Sequence, residues 1–314
     1  MQRYVMRRLL NMVPVLIGLT IAVFLVMRVI PGDAASVMLD ESPTAQAKEE
    51  LRQKLGLDRP LHEQYFSWVS GAVRGDFGTS FWTNQPVLDE IRRTAPVTIE
   101  LSLLASMIAV AVAVPIGILS AVKQDTIWDY LGRSLSITAL SVPNFWLGTL
   151  AVVLPAIWFN WVPPVTYRPI WEAPAENLGQ FWLPAIVIGA SSSAALMRMT
   201  RSSLLEVLRQ DYIRTAWAKG LASRRVILSH ALKNAMVPVV TLFGALVGGL
   251  LTGAVITETI FNLPGFGSLT VNAISQRDYP LIQANVLMFG ILYTVINLLV
   301  DLSYALLNPR IRYG

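Results

Sequence analysis

Two histidines, His62 and His230, and no cysteine are what this 314-residue chain offers to metal-ligand or thiol chemistry. Without cysteine, disulfides, thiol catalysis and cysteine-based metal sites are excluded. No GxxxxGKS/T loop is present to cradle ATP, and neither HExxH nor GxSxG supplies a zinc site or a nucleophile elbow. These absences argue against an enzyme. The remaining chemistry lies in charge. Arg28, Glu100, Glu258 and Asp301 sit near the ends of apolar runs, and Arg214, Lys219, Arg224, Arg225 and Lys233 crowd between Asp211 and Pro238. The first four can reach headgroups or pair at helix ends without entering the bilayer centre. An ion-coupled secondary transporter would place such groups at mid-membrane and would show inverted repeats, and no such repeats are evident.

The elements that must position these residues are membrane helices. The chain is 54% hydrophobic and 14% charged, and its apolar residues gather into runs approaching the ~20 residues a helix needs to cross a bilayer. Six runs stand out: 9–30, 96–122, 135–159, 181–199, 236–256 and 281–302. The expected fold is therefore all-α, a polytopic membrane protein with six transmembrane helices. The expected divisions are an N-terminal tail and first helix (1–30), an external subdomain (31–95), a five-helix core (96–307) carrying a loop at 206–235, and a short tail (308–314).

The net charge of +5 matters less than its distribution. Arg3, Arg7, Arg8, Lys123 and Arg133 fall on one side of these runs, as do the cations from Arg198 to Lys233 and then Arg310 and Arg312. The short loops opposite hold only Arg168 and Arg277. The positive-inside rule puts both termini and the 211–238 loop in the cytoplasm. The basic charge thus reflects topology rather than nucleic-acid binding. It also puts His62 and His230 on opposite faces, so they cannot share a site. The first run starts like a secretory signal, but it is long and Arg28 interrupts the approach to a cleavage site, so a retained helix is expected.

In the external segment, Ser42, Pro43 and Thr44 can start a helix over 45–55 that Gly56 ends, and a second helix is expected over 61–73. The following GDFGTSFWTNQPV prescribes turns and presents Phe77, Phe81 and Trp82. Those rings either cap the helices at the membrane interface or dock an extracellular protein. Trp158, Trp161, Trp171 and Trp182, in or beside the 160–180 loop, suit an interfacial belt. Pro115, Pro143 and Pro155 mark kinks or close packing in the membrane helices. Among the small and polar residues of the runs, most should let helices approach closely. Ser141, Asn144, Ser192, Thr252 and Asn285 are the candidates for a wet translocation path.

The segment DYIRTAWAKGLASRRVILSHALKNAMVP, residues 211–238, is basic yet carries apolar residues at helical spacing: Ile213, Ala216, Trp217, Val226, Ile227, Ala231 and Ala235. Gly220 is placed to end one helix in the left-handed conformation, and Ser223 to cap the next. By periodicity alone, an amphipathic surface helix and a docking element fit equally well.

The order of residues goes further. Thr215, Ala216 and Gly220, with Leu232 twelve residues after that glycine, resemble the EAA loop of permease subunits of ABC importers. RTAWAKG (214–220) and HALKNAMVPV (230–239) are similar to the dipeptide/oligopeptide branch of that family. Arg214 stands where importers in general have glutamate and Lys233 where they have proline, as is typical of the peptide branch; Trp217 replaces that branch's common arginine. The resemblance covers nearly the whole chain, through RRLLNMVPVL, RVIPGDAA, LGLDRPLHEQYFSW, GDFGTS, ETIFNLPGFG, RDYP and NPRIRY.

This resemblance implies the type I ABC importer permease fold and a heterodimer with a second homologous permease subunit. It also implies one or two ATPase subunits that bind ATP and magnesium, and an external substrate-binding protein. No cofactor, metal or nucleic acid is expected in this chain; lipid and a peptide solute are. Arg214, Thr215, Ala216, Trp217, Ala218, Lys219, Gly220, Leu221 and His230 would form the ATPase-coupling loop, with Ala216, Gly220 and Leu221 at its contact corner. Glutathione, nickel chelates and opines are alternative solutes within the same architecture. An ion-coupled carrier or a membrane scaffold without transport activity would be a different class.

Overall fold

The computed structural model describes residues 2–29, 34–39, 45–164 and 166–307. The expected helix start at 42–44 and the tail 308–314, with its NPRIRY motif, lie outside them. In chain order the helices are α1 (Gln2–Val29), α2 (Ala34–Met38), α3 (Ala45–Lys54), α4 (Leu61–Val73), α5 (Val87–Val122), α6 (Ile127–Ser141) and α7 (Asn144–Phe159). They continue with α8 (Pro174–Leu208), α9 (Asp211–Ala218), α10 (Ser223–Arg225), a π-helical segment (Val226–Ala231), α11 (Leu232–Ile260), α12 (Phe266–Gln276) and α13 (Tyr279–Leu307). Among the described residues, β pairing is confined to one isolated antiparallel bridge, Thr79 with Pro86.

Five segments are long and apolar enough to cross a membrane: Leu10–Val29, Val87–Val122, Pro174–Leu208, Ser223–Leu250 and Tyr279–Val300. The run expected to form one helix over 135–159 is instead a pair, α6 and α7, meeting at 93°. Proline is the local cause. Pro143 has no N–H to continue the ladder and pushes the preceding residue out of the helical region; Val142 accordingly sits at φ −91°, ψ 121°. Counting that pair as one broken span gives six spans. Pro115 and Pro155 lie inside continuous helices. The loop expected over 160–180 is shorter than that, because α8 already begins at Pro174, a residue whose fixed φ suits a first helical turn.

The chain divides into two compact units, Met1–Thr98 with Pro264–Val295, and Ile99–Leu263 with Ile296–Gly314. In the first, Val23, Met27, Val87, Ile91, Phe266, Ala273, Tyr279 and Ile282 form a buried cluster. Helix α4 occupies the expected residues, whereas α12 is an amphipathic helix with no counterpart in the sequence reading. A buried polar latch ties the turn after α4 to the α12–α13 corner. Ser80 Oγ donates to Asp278 Oδ2 at 2.5 Å, and the backbone N–H of Leu281 donates to Asp278 Oδ1 at 3.4 Å.

The second unit is organised by α8. At roughly 1.5 Å per residue its 35 residues extend well beyond a hydrocarbon core of about 30 Å. Its buried stripe runs from Asn177 to Leu204. Close approach rests on small residues, as expected where lipid removes the hydrophobic drive between helices. A Cβ placed on Gly117 of α5 would lie 2.7 Å from Thr200 Cβ and 3.0 Å from Met197 O on α8. The loop between α7 and α8 is pinned by Gln180 Nε2 donating to Pro164 O at 2.7 Å and by Tyr167 donating to Glu100 Oε2 at 3.1 Å. Burial, helped by that carboxylate, pushes the Tyr167 phenol up to about 12. Trp158, Trp171 and Trp182 are exposed and Trp161 is half-buried.

Candidate functional site

The segment between α8 and α11 is a folded corner, and its local geometry follows from its sequence. Helix α9 ends in the paired hydrogen bonds of a Schellman motif: Gly220 N–H to Trp217 O at 2.9 Å and Leu221 N–H to Ala216 O at 3.4 Å. That closure needs a left-handed residue after the cap, and Gly220 has φ +76° with nothing within 4 Å of a notional Cβ. The left-handed glycine expected from sequence is thus present. The motif also brings the residues flanking it into apolar contact, and Ala216 and Leu221 both pack against the same buried cluster.

That cluster is made of Ala121 from α5, Leu204 from α8, Ile213 from α9, Val226 and Ala231 from the π-helical segment, and Ala235 from α11. Ile213, Val226 and Ala231 are wholly buried. The corner is therefore a packed body rather than a solvated connector. A brace across it runs from Asn234 Nδ2 to Tyr212 Oη at 2.8 Å.

Two sequence expectations need correction here. Ser223 does not cap the second helix; Ala222 occupies that position without a side-chain bond, and Ser223 is the first helical residue. The helix from 223 towards Ala235 is not uniformly α, because residues 226–231 are π-wound, with the N–H of Leu232 reaching Ile227 O. The wider winding turns Val226 and Ala231 to one buried face while Leu228 and His230 stay exposed. π segments of this kind recur at functional sites.

The predicted coupling residues thus divide. Ala216 and Leu221 are half-buried and hold the corner together, whereas Arg214, Thr215, Trp217, Ala218, Lys219, Gly220 and His230 are exposed. With Arg224 and Arg225 also exposed, the outer surface is basic with one indole, Trp217, at 40% exposure. Arg214 lies 3.3 Å from Asp211, a surface pair of little energetic weight.

Sequence reasoning missed the strongest polar contact beneath this corner. Asp129 of α6 is fully buried and accepts from Arg201 of α8 at 2.7 Å on each oxygen, from the Ser120 hydroxyl of α5, and from the Asp125 N–H at 3.1 Å. Ser120 adjoins Ala121, and Arg201 lies one helical turn from Leu204, both members of the cluster under the corner. The clasp therefore fixes the helices on which the corner rests.

The other sequence candidates are dispersed. Ser141, exposed, and Asn144, half-buried, flank the α6–α7 break; Ser192 is buried in α8. Thr252 is in α11 with its side chain outside the described residues, as is that of Asp301 in α13. Asn285 belongs to the first unit, fully buried, with Nδ2 donating to Thr270 Oγ1 at 3.0 Å. In that unit Phe77 and Phe81 turn onto the buried cluster. Trp82 is the exposed ring of the three, its Nε1 donating to Gln276 O at 2.7 Å. Among the described residues no group of three or more His, Asp or Glu side chains gathers as a metal site requires.

Residues 113–313 match the family described as "Binding-protein-dependent transport system inner membrane component", and residues 1–102 match the N-terminal region described for the same membrane components. The chain belongs to this family. The permease is 41% identical to the dipeptide transport system permease protein DppB of Escherichia coli (strain K12), over 100% of this chain and 99% of that protein. It is 40% identical to the glutathione transport system permease protein GsiC of Salmonella typhimurium, over the full length of both.

Its fold is similar to a solved inward-facing MetNI methionine ABC transporter chain, with TM-score 0.55 over 70% of this chain and 97% of that one at 13% identity. A solved amino acid ABC transporter chain gives TM-score 0.54 over 69% and 94%, also at 13% identity. The permease is a multi-pass inner-membrane component of an ABC importer in the peptide and glutathione group, and it is not itself catalytic.

Proposed function

We propose that the permease forms half of a path for dipeptides or oligopeptides, driven by separate ATPase subunits that grip the 211–238 corner. Both termini and this corner face the cytoplasm in this reading, and residues 31–95 face outward towards a binding protein. A second permease chain completes the path. The observation that carries the reading is the Schellman corner at Gly220, seated on a buried apolar cluster and offering an exposed basic face. A packed corner moves as one piece, so a partner that contacts it differently in two nucleotide states can shift the equilibrium of the helices behind it. Dipeptide cargo is favoured by the 41% identity to a dipeptide permease over the whole chain.

The test is uptake by membrane vesicles containing the permease with its partner subunits and binding protein. Accumulation of radiolabelled alanylalanine that needs ATP and the ATPase subunits is expected. Uptake driven by an ion gradient without those subunits would contradict the reading. Glutathione is the second reading, favoured by the 40% identity to a glutathione permease; accumulation of glutathione but not alanylalanine in the same vesicles would replace the first.

A further inference from the structure

We propose that Arg133 of α6 and Arg198 of α8 form a two-guanidinium cleft on the surface of the second unit, and that it holds the phosphate headgroup of an anionic phospholipid. The register of the two helices sets these residues at one level. Asp129 meets Arg201, and a Cβ on Gly132 would lie 2.9 Å from Met197 Cε, so α6 and α8 run antiparallel with Gly132 opposite Met197. Arg133 and Arg198 each follow a facing residue by one position, about 100° round the helix. In an antiparallel pair those two rotations carry both residues to the same side of the seam. The opposite side is closed by α5, whose Gly117 meets Thr200.

Both arginines are exposed, and among the described residues no carboxylate pairs with either. The acids closest in register, Asp129 and Asp125, both act on Arg201. The next acid along α8, Glu206, is just over two turns on, about 12 Å by the helical rise. Two like charges at one level of a membrane helix pair are costly without an anion between them, because the surrounding dielectric is low. Basic pockets between membrane helices take phosphate headgroups for this reason, and the guanidinium fork fits phosphate oxygens.

The surroundings are those of a bilayer boundary. Arg133 stands in the second turn of α6, and Trp128 and Tyr130 before it are exposed, as aromatic rings are at the headgroup level. The Arg133 guanidinium lies 5.9 Å from the Tyr130 ring centroid. Beyond it, Ile137 and Leu140 follow at helical spacing on the same flank and are exposed, where acyl chains would lie. A lipid satisfies both the charge and this apolar flank, whereas a soluble anion satisfies the charge alone. The choice of the cytoplasmic leaflet rests on the topology proposed above; binding itself does not.

The test is native mass spectrometry of the purified full-length chain released from detergent micelles doped with cardiolipin or phosphatidylcholine. The native chain should bind cardiolipin about tenfold more tightly than phosphatidylcholine, and Arg133→Gln with Arg198→Gln should abolish that preference. Arg133→Gln alone should lower it about threefold, whereas Arg209→Gln, at an exposed arginine outside the cleft, should keep it. Millimolar inorganic phosphate should not displace the lipid. Equal affinity of the native chain for the two lipids would overturn the proposal and leave the arginines for a carboxylate of a second permease chain. So would a double variant that keeps the preference, displacement by inorganic phosphate, or a loss in Arg209→Gln as large as in the double variant. Transport does not enter this assay, so its failure leaves the importer reading standing.

Discussion

Arg201 grips Asp129 through two 2.7 Å hydrogen bonds, Nε to Oδ1 and Nη2 to Oδ2, with the carboxylate fully buried and the guanidinium largely so. The pair joins α6 to α8, and Ser120 adds α5, so three helices are fixed just behind the corner that carries the exposed basic face. A buried ion pair of this kind gives geometry more than net stability, but removing one partner strands the other.

Asp129→Ala should therefore destabilise the permease by roughly 3–5 kcal/mol, read as a lowered thermal midpoint in detergent. Arg201→Lys keeps the charge but loses the planar fork, and its midpoint should fall between native and Asp129→Ala. Equal midpoints for native and Arg201→Lys would show that the fork geometry contributes nothing.

Asp278 gives a pH dependence. Burial pushes its carboxyl above the ordinary range, against the Ser80 hydroxyl and the N–H groups of Phe81, Leu281 and Trp82, which favour the charged form. With the folded value raised, the folded state binds more protons than the unfolded state between the two values. Stability from this group is thus full below about 4 and falls as pH rises through the folded value. Thermal midpoints of native and Asp278→Asn chains, measured from acid to neutral pH, should move in favour of the variant as pH increases. A constant difference would contradict the assignment.

How much of this was legible in the sequence depends on the range of each interaction. Helix α4 and the left-handed Gly220 were readable because propensity and capping act within one turn. Pro143 was visible as an interruption, but a proline alone does not separate a mild kink from a 93° break; that is decided by what packs around it. The π winding at 226–231 was hidden because six residues are too few to distinguish its period from 3.6. Asp129 and Arg201 are 72 positions apart, with no periodicity linking them, so Arg201 was read only as a topological charge. Ala216 and Leu221 are expected at the contact corner because small residues there allow close approach; that the Schellman closure also packs both, half-buried, against a cluster drawn from α5, α8 and α11 leaves no local signal.

Gly220 separates conformation from contact. Gly220→Ala meets open space but forces an L-residue to φ +76°, a local cost of about 1–2 kcal/mol, so assembly should persist with a modest loss of stability. Gly220→Trp adds bulk to the exposed corner and should leave membrane insertion intact while ATP hydrolysis no longer drives uptake. Vesicles that accumulate solute at the native rate with Gly220→Trp would contradict the corner's role.

On the reading proposed above, the exposed face of α9 is where an ATPase subunit takes hold. Because the chain has no cysteine, single substitutions Thr215→Cys, Trp217→Cys and Lys219→Cys permit cross-linking to the ATPase free of background from the permease itself. A short thiol-to-amine cross-linker should join each of these to the ATPase in assembled complexes, in a yield that changes between nucleotide-free and ATP-bound states, while Trp82→Cys in the first unit gives no such product. Failure of all three α9 positions to cross-link in complexes that transport normally would contradict the account.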